Sequence, residues 1–269
     1  MNGPADNPVL LRPVAARILE IRRHTPIDAT WRLAWDQPPA PGQFFEVSLP
    51  RVGEAPISAS GWGEGYVDLT IRRVGELTTA IFATKVGELL FLRGPYGHGW
   101  PVATLAGRPL VIAAGGTGLA PVRGLIEQVV ADASWRAQAT VLVGFRSPDD
   151  VLFRDDLARW LTAADVRVTV DRGGDGWTGR VGVVTRLIPE LPWDAAAVPQ
   201  AVVVGPSLMM KFTVKALLDR GLPPERIWVS YERRMSCGVG KCGHCKIHDK
   251  YCCVDGPVFN FAEAQGLFD

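Results

Sequence analysis

Cysteine is absent from residues 1–236, no apolar run approaches the ~18 residues of a transmembrane helix, and neither sign of charge prevails. Each absence removes a class of protein. Without scattered cysteines there is no disulfide framework stapling distant parts of the chain. The stretch Met1–Arg23 lacks the continuous apolar core of a secretory signal, so neither export nor a membrane span is expected. With 29 basic and 28 acidic residues, the formal charge of +1 offers no nucleic-acid footprint and no polybasic membrane patch. Internal repeats and low-complexity tracts are also missing. The 29 glycines and 21 prolines are dispersed, as in a chain with many tight turns. A length of 269 residues suits two domains, and the apolar share of 47% is ordinary for domains with buried cores.

What is present is concentrated. All five cysteines fall between Cys237 and Cys253. With no export signal, this local cage reads as a metal site in a reducing cytoplasm. Cys237, Cys242 and Cys245 form C-x4-C-x2-C, and Cys252 and Cys253 follow. This is the spacing of a plant-type two-iron cluster. Gly238, Gly240 and Gly243 let the loop turn its amides toward sulfur, and such hydrogen bonds tune the potential. Zinc is the competing reading, because four thiolates also make a closed tetrahedral site. Zinc ribbons usually supply two separated C-x2-C pairs, and here there is one. His244 is read as exposed or adjacent to the cage, four thiolates being sufficient. Neighbouring residues on an extended segment point oppositely, so only one of Cys252 and Cys253 faces the cage. Spacing does not choose between them.

The first hundred residues read as short strands broken by turns: Ala15–Arg22, Thr30–Trp35, Gln43–Leu49, Tyr66–Arg73 and Leu89–Arg93, with a short helix at about Leu77–Thr84. That spacing predicts a small antiparallel barrel. From Pro109 strands alternate with helices. The expected strands are Pro109–Ala114, Ala139–Gly144, Val166–Val170, Ala201–Val204 and Arg226–Ser230. Helices are expected after Gly118, near Val151–Leu161, near Val183–Ile188 and over Ser207–Leu218. Leu119, Val122, Ile126 and Val129 place one apolar face on the first of them. The alternation predicts a parallel, doubly wound sheet. The stretch from Glu232 to Asp269 reads as an appended lid with little regular structure.

Gly115-Gly116-Thr117-Gly118 stands where a strand ends and a helix begins. Glycines there let the backbone approach a diphosphate whose charge the helix amides stabilise. Gly205-Pro206-Ser207 makes a second turn at the same carboxyl edge. Met209 and Met210 read as helix–sheet packing.

Ordered segments then carry a resemblance. Pro41-Gly42-Gln43-Phe44, Gly53-Glu54-Ala55-Pro56-Ile57-Ser58, Thr70-Ile71-Arg72-Arg73-Val74-Gly75 and Gly94-Pro95-Tyr96-Gly97 resemble, in turn, segments of the ferredoxin–NADP reductase superfamily. Gly115 to Pro121 and Gly205 to Met210 continue the match. The cysteine segment, with Val254-Asp255-Gly256-Pro257-Val258-Phe259, resembles sulfhydrogenase gamma subunits and the FAD subunit of anaerobic sulfite reductase. The electron-transfer subunit of dihydroorotate dehydrogenase is more distantly similar. This resemblance covers nearly the whole chain.

It implies an N-terminal flavin-binding barrel at 1–103, a nucleotide domain at 104–231 and a two-iron segment at 232–269. It further implies FAD, an NAD(P)H site and a [2Fe-2S] cluster. Ser58, Thr70, Ile71 and Arg72 fall at the flavin, Ser58 matching the family motif while Ala55 and Ile57 replace its usual arginine and tyrosine. Gly75, Thr78 and Thr79 fall at the flavin diphosphate. Gly115, Gly116, Thr117, Gly118, Gly205 and Pro206 fall at the dinucleotide, and Val204 replaces the usual cysteine beside the nicotinamide. Cys253 aligns with the fourth iron ligand after Cys237, Cys242 and Cys245, and Cys252 with a position usually held by valine.

The implied activity needs no nucleophile: an electron-transfer subunit passes electrons between NAD(P)H, flavin and cluster, and on to an iron–sulfur subunit and a nickel–iron hydrogenase or sulfite reductase core. Two other readings stand beside it, a self-contained reductase of a soluble oxygenase and a zinc-bearing module that senses a dinucleotide. Arg146-Ser147 leaves the choice between NADH and NADPH open.

Overall fold

The computed structural model describes residues 11–193 and 198–267; the expected domain ends at 1–10 and 268–269 lie outside them. The chain divides into two compact units, one made of Met1–Gly99 with Tyr231–Val258, the other of Trp100–Ser230 with Phe259–Asp269. The 232–269 segment is thus shared between the two.

The first unit holds a closed barrel of β1 (Val14–Arg23), β2 (Asp28–Ala34), β3 (Phe44–Leu49), β4 (Gly53–Gly63), β5 (Tyr66–Arg72) and β6 (Leu89–Tyr96), in the order β1-β2-β5-β4-β3-β6. Alternating side chains fill its interior, among them Trp31, Phe45, Leu69, Ile71, Leu90 and Leu92, all fully buried. Each such side chain contributes roughly 1.5–3 kcal/mol of burial. Register shifts at Ile18/Glu20, Phe44/Glu46 and Ala59/Gly61 bend three strands enough to close the sheet. The short helix α1 (Glu76–Phe82) lays Phe82 edge-on against Trp31, with ring centroids 4.9 Å apart.

Five strands were legible in the sequence, and the sixth, β4, was not. Its composition of Gly, Ala, Pro and Ser has little intrinsic strand preference, and it forms because β3 and β5 pair with it on both sides.

In the second unit α2 (Val102–Leu105) leads into β7 (Leu110–Gly115), a 3₁₀ turn at Gly116–Gly118 and α3 (Leu119–Ala131). Then come α4 (Ala133–Arg136), β8 (Ala139–Phe145), α5 (Arg154–Ala163), β9 (Asp165–Val170), β10 (Arg180–Val181), β11 (Gln200–Val204), α6 (Ser207–Asp219) and β12 (Ile227–Ser230). The sheet order is β10-β9-β8-β7-β11-β12-β15, parallel from β10 to β12, where β15 is Val258–Asn260. Leu119, Val122, Ile126 and Val129 are fully buried, as their spacing requires. The helix expected near Val183–Ile188 is a 3₁₀ segment, Val184–Glu190, with Pro189 inside it; proline removes the backbone donor an α-helix needs there.

The C-terminal stretch has more regular structure than its sequence foretold. A hairpin of β13 (Lys246–Ile247) and β14 (Lys250–Tyr251) lies within the cysteine segment, β15 joins the sheet edge, and α7 (Phe261–Ala264) follows. No helix among the described residues is long and apolar enough to cross a membrane.

Candidate functional site

In the second unit the chain reverses its direction of sheet growth at β7, with β8 on one side and β11 on the other. Ligands of open parallel sheets bind at the carboxyl ends of such a switch point, and both glycine turns lie there. They are packed against each other: a Cβ on Gly118 would stand 2.7 Å from the Gly205 Cα and 2.8 Å from the Val204 oxygen. A Cβ on Gly115 would meet the Met209 sulfur at 2.5 Å. Gly116 differs. Its φ of +53° is left-handed, and its open side meets nothing within 4 Å. Gly115, Gly118 and Gly205 therefore bring the two turns into contact, while Gly116 leaves a free backbone surface before α3. Thr117 is half-buried beside it, and Pro206 precedes α6. Met210 is buried in packing, as expected.

The barrel positions the flavin-type residues differently from one another. Ser58 is half-buried on β4, opposite Phe44. Thr70 on β5 belongs to a chain of side-chain hydrogen bonds: His24 Nε2 to Thr30 Oγ1 at 2.7 Å, Thr30 to Thr70 at 2.8 Å, and Thr70 to Ser60 Oγ at 2.8 Å. Ile71 points into the barrel core and is fully buried, so its side chain is closed to a ligand. Arg72 grips the fully buried Asp28 bidentately at 2.7 and 3.1 Å. At the start of α1 the Thr78 hydroxyl accepts from the Val74 and Gly75 amides and donates to the Gly75 oxygen, so it serves its own helix. Gly75 and Thr79 are exposed there, beside the unpaired first amides that every helix start presents.

The cysteine segment belongs to the barrel unit. The Cys237 Sγ accepts from the amides of Val239, Lys241 and Cys242 at 3.3–3.5 Å. Cys242 is thus tied to Cys237 through its own amide. Burial, the largest single effect, raises its pKa, but the hydrogen bonds with the His244 backbone and with Cys237 together outweigh it and hold Cys242 below the ordinary thiol range. The Cys245 and Cys253 sulfurs lie 3.3 Å apart, and the Gly240 amide donates to Cys253 at 3.2 Å. The four cysteines thus stand as two pairs, Cys245 with Cys253 through their sulfurs and Cys242 with Cys237 through an amide. Among the described residues, no three His, Cys, Asp or Glu side chains converge on a point for one metal ion.

Cys252 is fully buried outside these pairs, and burial first, then the neighbouring Cys245, pushes its thiol up to about 12. Cys252 and Cys253 lie in a turn closed by the Val254 and Asp255 amides on the Tyr251 oxygen, so the turn, not an extended segment, separates the two side chains.

Both ends of this segment are held by the strand β6 and its continuation. His98 donates from its amide to Gly256, and a Cβ on Gly238 would lie 2.6 Å from the Tyr96 ring. Arg93, Glu54 and Glu46, unremarked as site residues in the sequence, complete this face. The signal for them was charge inside strands that otherwise read as apolar, as in Phe44-Phe45-Glu46-Val47. Phe45 and Val47 enter the barrel core, so by strand alternation Glu46 faces outward, yet it is fully buried.

Comparison with known proteins agrees with this geometry. Residues 112–215 match the oxidoreductase NAD-binding domain, and residues 232–265 match the iron–sulfur cluster binding domain of dihydroorotate dehydrogenase B. The gamma subunit of sulfhydrogenase 1 from Pyrococcus furiosus is 34% identical, over 99% of this chain and 97% of the relative. A probable dihydroorotate dehydrogenase B electron-transfer subunit from Methanocella arvoryzae is 34% identical over 93% and 91%. In fold, the chain is similar to an NADH-dependent reduced ferredoxin–NADP oxidoreductase, with a TM-score of 0.75 at 24% identity, covering 94% of this chain and 92% of the other. The chain belongs to the family of sulfhydrogenase gamma subunits and dihydroorotate dehydrogenase B electron-transfer subunits, oxidoreductase subunits with an NAD-binding and an iron–sulfur domain.

Proposed function

We propose that this chain is the electron-transfer subunit of a larger cytoplasmic redox complex, moving electrons between NAD(P)H and a partner enzyme by way of FAD and a [2Fe-2S] cluster. The observation that carries the reading is the pairing of cysteines, Cys242 with Cys237 through an amide and Cys245 with Cys253 through their sulfurs, in a loop whose amides turn toward sulfur. Two pairs suit two irons that each take two thiolates, whereas a single zinc needs four thiolates around one point. The cytoplasmic placement rests on free cysteines gathered into one metal-binding segment.

When bound, the flavin supplies the conversion of a two-electron hydride into single electrons, and the cluster supplies the one-electron outlet. The chain's own part is positioning. The free backbone at Gly116 and the start of α3 would hold the dinucleotide diphosphate, and Gly205 and Pro206 would border it. Ser58, Thr70 and the Ile71 backbone would line the flavin, Arg72 standing next to them. Gly75 and Thr79 at the start of α1 would meet its diphosphate. No acid–base pair is required, because hydride transfer depends on orientation.

The proposed partner is an iron–sulfur subunit with a catalytic core of the nickel–iron hydrogenase or sulfite reductase kind; the named relatives are themselves subunits, of a sulfhydrogenase and of dihydroorotate dehydrogenase B. Anaerobic purification from the source cell tests the reading. A brown complex with iron, sulfide and flavin, retaining its partner subunits, is expected. A colourless zinc protein overturns it, and so does a lone chain that reduces a soluble oxygenase at full rate.

A further inference from the structure

The cysteine loop is anchored by one guanidinium. Arg93, on β6, is 7% exposed. Its Nη2 donates to the Ser236 oxygen at 2.7 Å and its Nη1 to the Cys237 oxygen at 3.1 Å, across more than 140 residues of sequence. Its other contacts fix the fork in place: Nε and Nη2 donate to the two Glu54 carboxylate oxygens at 2.7 and 2.6 Å, and Nη1 to the Tyr96 hydroxyl at 3.3 Å. Tyr96 in turn packs its ring on Gly238, the residue after the first cysteine. The peptide groups around Cys237 are therefore sorted by polarity. Carbonyls of Ser236 and Cys237 face the guanidinium, and amides of Val239, Lys241 and Cys242 face the Cys237 sulfur.

We propose that Arg93 is the positioning residue for the first cysteine ligand and that the Arg93–Glu54 pair sets the reduction potential of the cluster held there. This rests on the reading of Cys237 as an iron ligand. A carbonyl pinned by a charged fork cannot rotate toward sulfur, so the loop keeps its donating amides on the metal side. The fork itself brings a cation next to the first ligand, in a buried setting where charges are weakly screened. Glu54 balances it. The Glu46 carboxyl, cross-strand from Arg93, is the other acidic neighbour. The pair as a whole is near neutral, and its two halves act on the cluster with opposite sign.

That opposition gives the test. The protein is purified anaerobically as the intact chain, wild type beside Glu54→Gln, Arg93→Gln and Arg93→Lys. Iron and labile sulfide are counted, and the cluster midpoint potential is read by redox titration monitored by electron paramagnetic resonance. Glu54→Gln leaves the cation unbalanced and should raise the potential. Arg93→Gln leaves the Glu54 carboxylate unbalanced and should lower it, with faster iron loss to a chelator. Arg93→Lys restores the charge without the fork, so its potential should return toward wild type while its iron stays more labile. If Arg93→Gln fails to retain a cluster, that loss supports positioning, and the rise in Glu54→Gln decides the electrostatic half.

A potential that stays at the wild-type value in Glu54→Gln, or that moves the same way in Glu54→Gln and Arg93→Gln, with full iron content, overturns the proposal. Cys237→Ser is the control. Full iron in that variant overturns the ligand assignment itself, an outcome distinct from an inert Arg93.

Discussion

Glu46 has an acid–base consequence measurable without any partner. Its carboxyl is fully buried, and neither oxygen has a hydrogen-bond partner among the described residues. Burial foremost, then the Glu54 carboxylate, raises its pKa from the ordinary 4.5 to about 7; Arg93 opposes the rise and Cys237 adds to it. A carboxyl whose pKa rises on folding holds its proton more tightly in the native state. Its effect on stability is nil below the unfolded value of 4.5, grows unfavourable as pH climbs to about 7, and is constant above. At about 1.4 kcal/mol for each tenfold change in proton affinity, the native state loses about 3 kcal/mol across that window.

Glu46→Gln keeps the shape of the protonated acid and abolishes the titration. Any cost of burying the amide is the same at every pH and subtracts out as a constant offset. The assay is the thermal midpoint of the purified holoprotein and variant from pH 5 to 8 by circular dichroism at one scan rate, since the midpoint of a cofactor-bearing protein is partly kinetic. For a chain of this size about 3 kcal/mol corresponds to roughly 6–12 °C. The wild type should lose that much relative to the variant as pH rises. Parallel curves refute the reasoning, because they mean that Glu46 is ionised throughout and that Arg93 serves two carboxylates at once.

Three further outcomes are expected. Gly116→Val puts a β-branched side chain at a left-handed φ of +53° on the free face of the turn, and KM for NADH or NADPH should rise about tenfold or more, ~1.4 kcal/mol of binding, with flavin and iron retained; unchanged kinetics would make the turn purely structural. Cys253→Ser should lose iron while Cys252→Ser keeps it, since Cys253 stands 3.3 Å from Cys245 and Cys252 lies outside the pairs; elemental analysis of both decides. Heat-released cofactor should chromatograph as FAD, and recovery of FMN alone would leave Gly75 and Thr79 without a diphosphate to meet.

The sequence revealed elements whose residues carry their own preference. The branched and aromatic runs of β1, β2, β3, β5 and β6 mark strands, and the Leu119–Val129 stripe marks a helix that must bury one face. It hid what depends on neighbours. Gly53–Gly63 has the composition of a loop and becomes a strand because β3 and β5 present unpaired edges to it. β15 is three residues long and exists only as an addition to the sheet edge. In the site, a similar division holds. Glycines at Gly115, Gly118 and Gly205 were visible as turn residues, but only their mutual packing separates them from Gly116, whose side faces open space. Thr78 and Thr79 look alike in sequence, yet one hydroxyl closes its own helix start while the other residue is exposed.

The Arg93 cluster is hidden in the sequence for the same physical reason. Glu46, Glu54 and Arg93 come from three strands and meet only because β3 pairs with both β4 and β6. Taken singly, each is a charged residue on a strand, and such residues usually face water. Two of the three are buried here, because the cysteine segment covers the outer face of the barrel on which they stand. A barrel wall that must support a metal-binding loop of little hydrophobic substance has few ways to hold it. The loop offers backbone carbonyls and glycine surfaces, and the wall answers with a guanidinium fork for the carbonyls and a tyrosine ring for the glycine. Such an arrangement costs the desolvation of charged groups, and that cost shows in the unpartnered Glu46 carboxyl. An apolar wall would pack more cheaply but would leave the Ser236 and Cys237 carbonyls buried and unpaired, free to turn toward the sulfur in place of the amides.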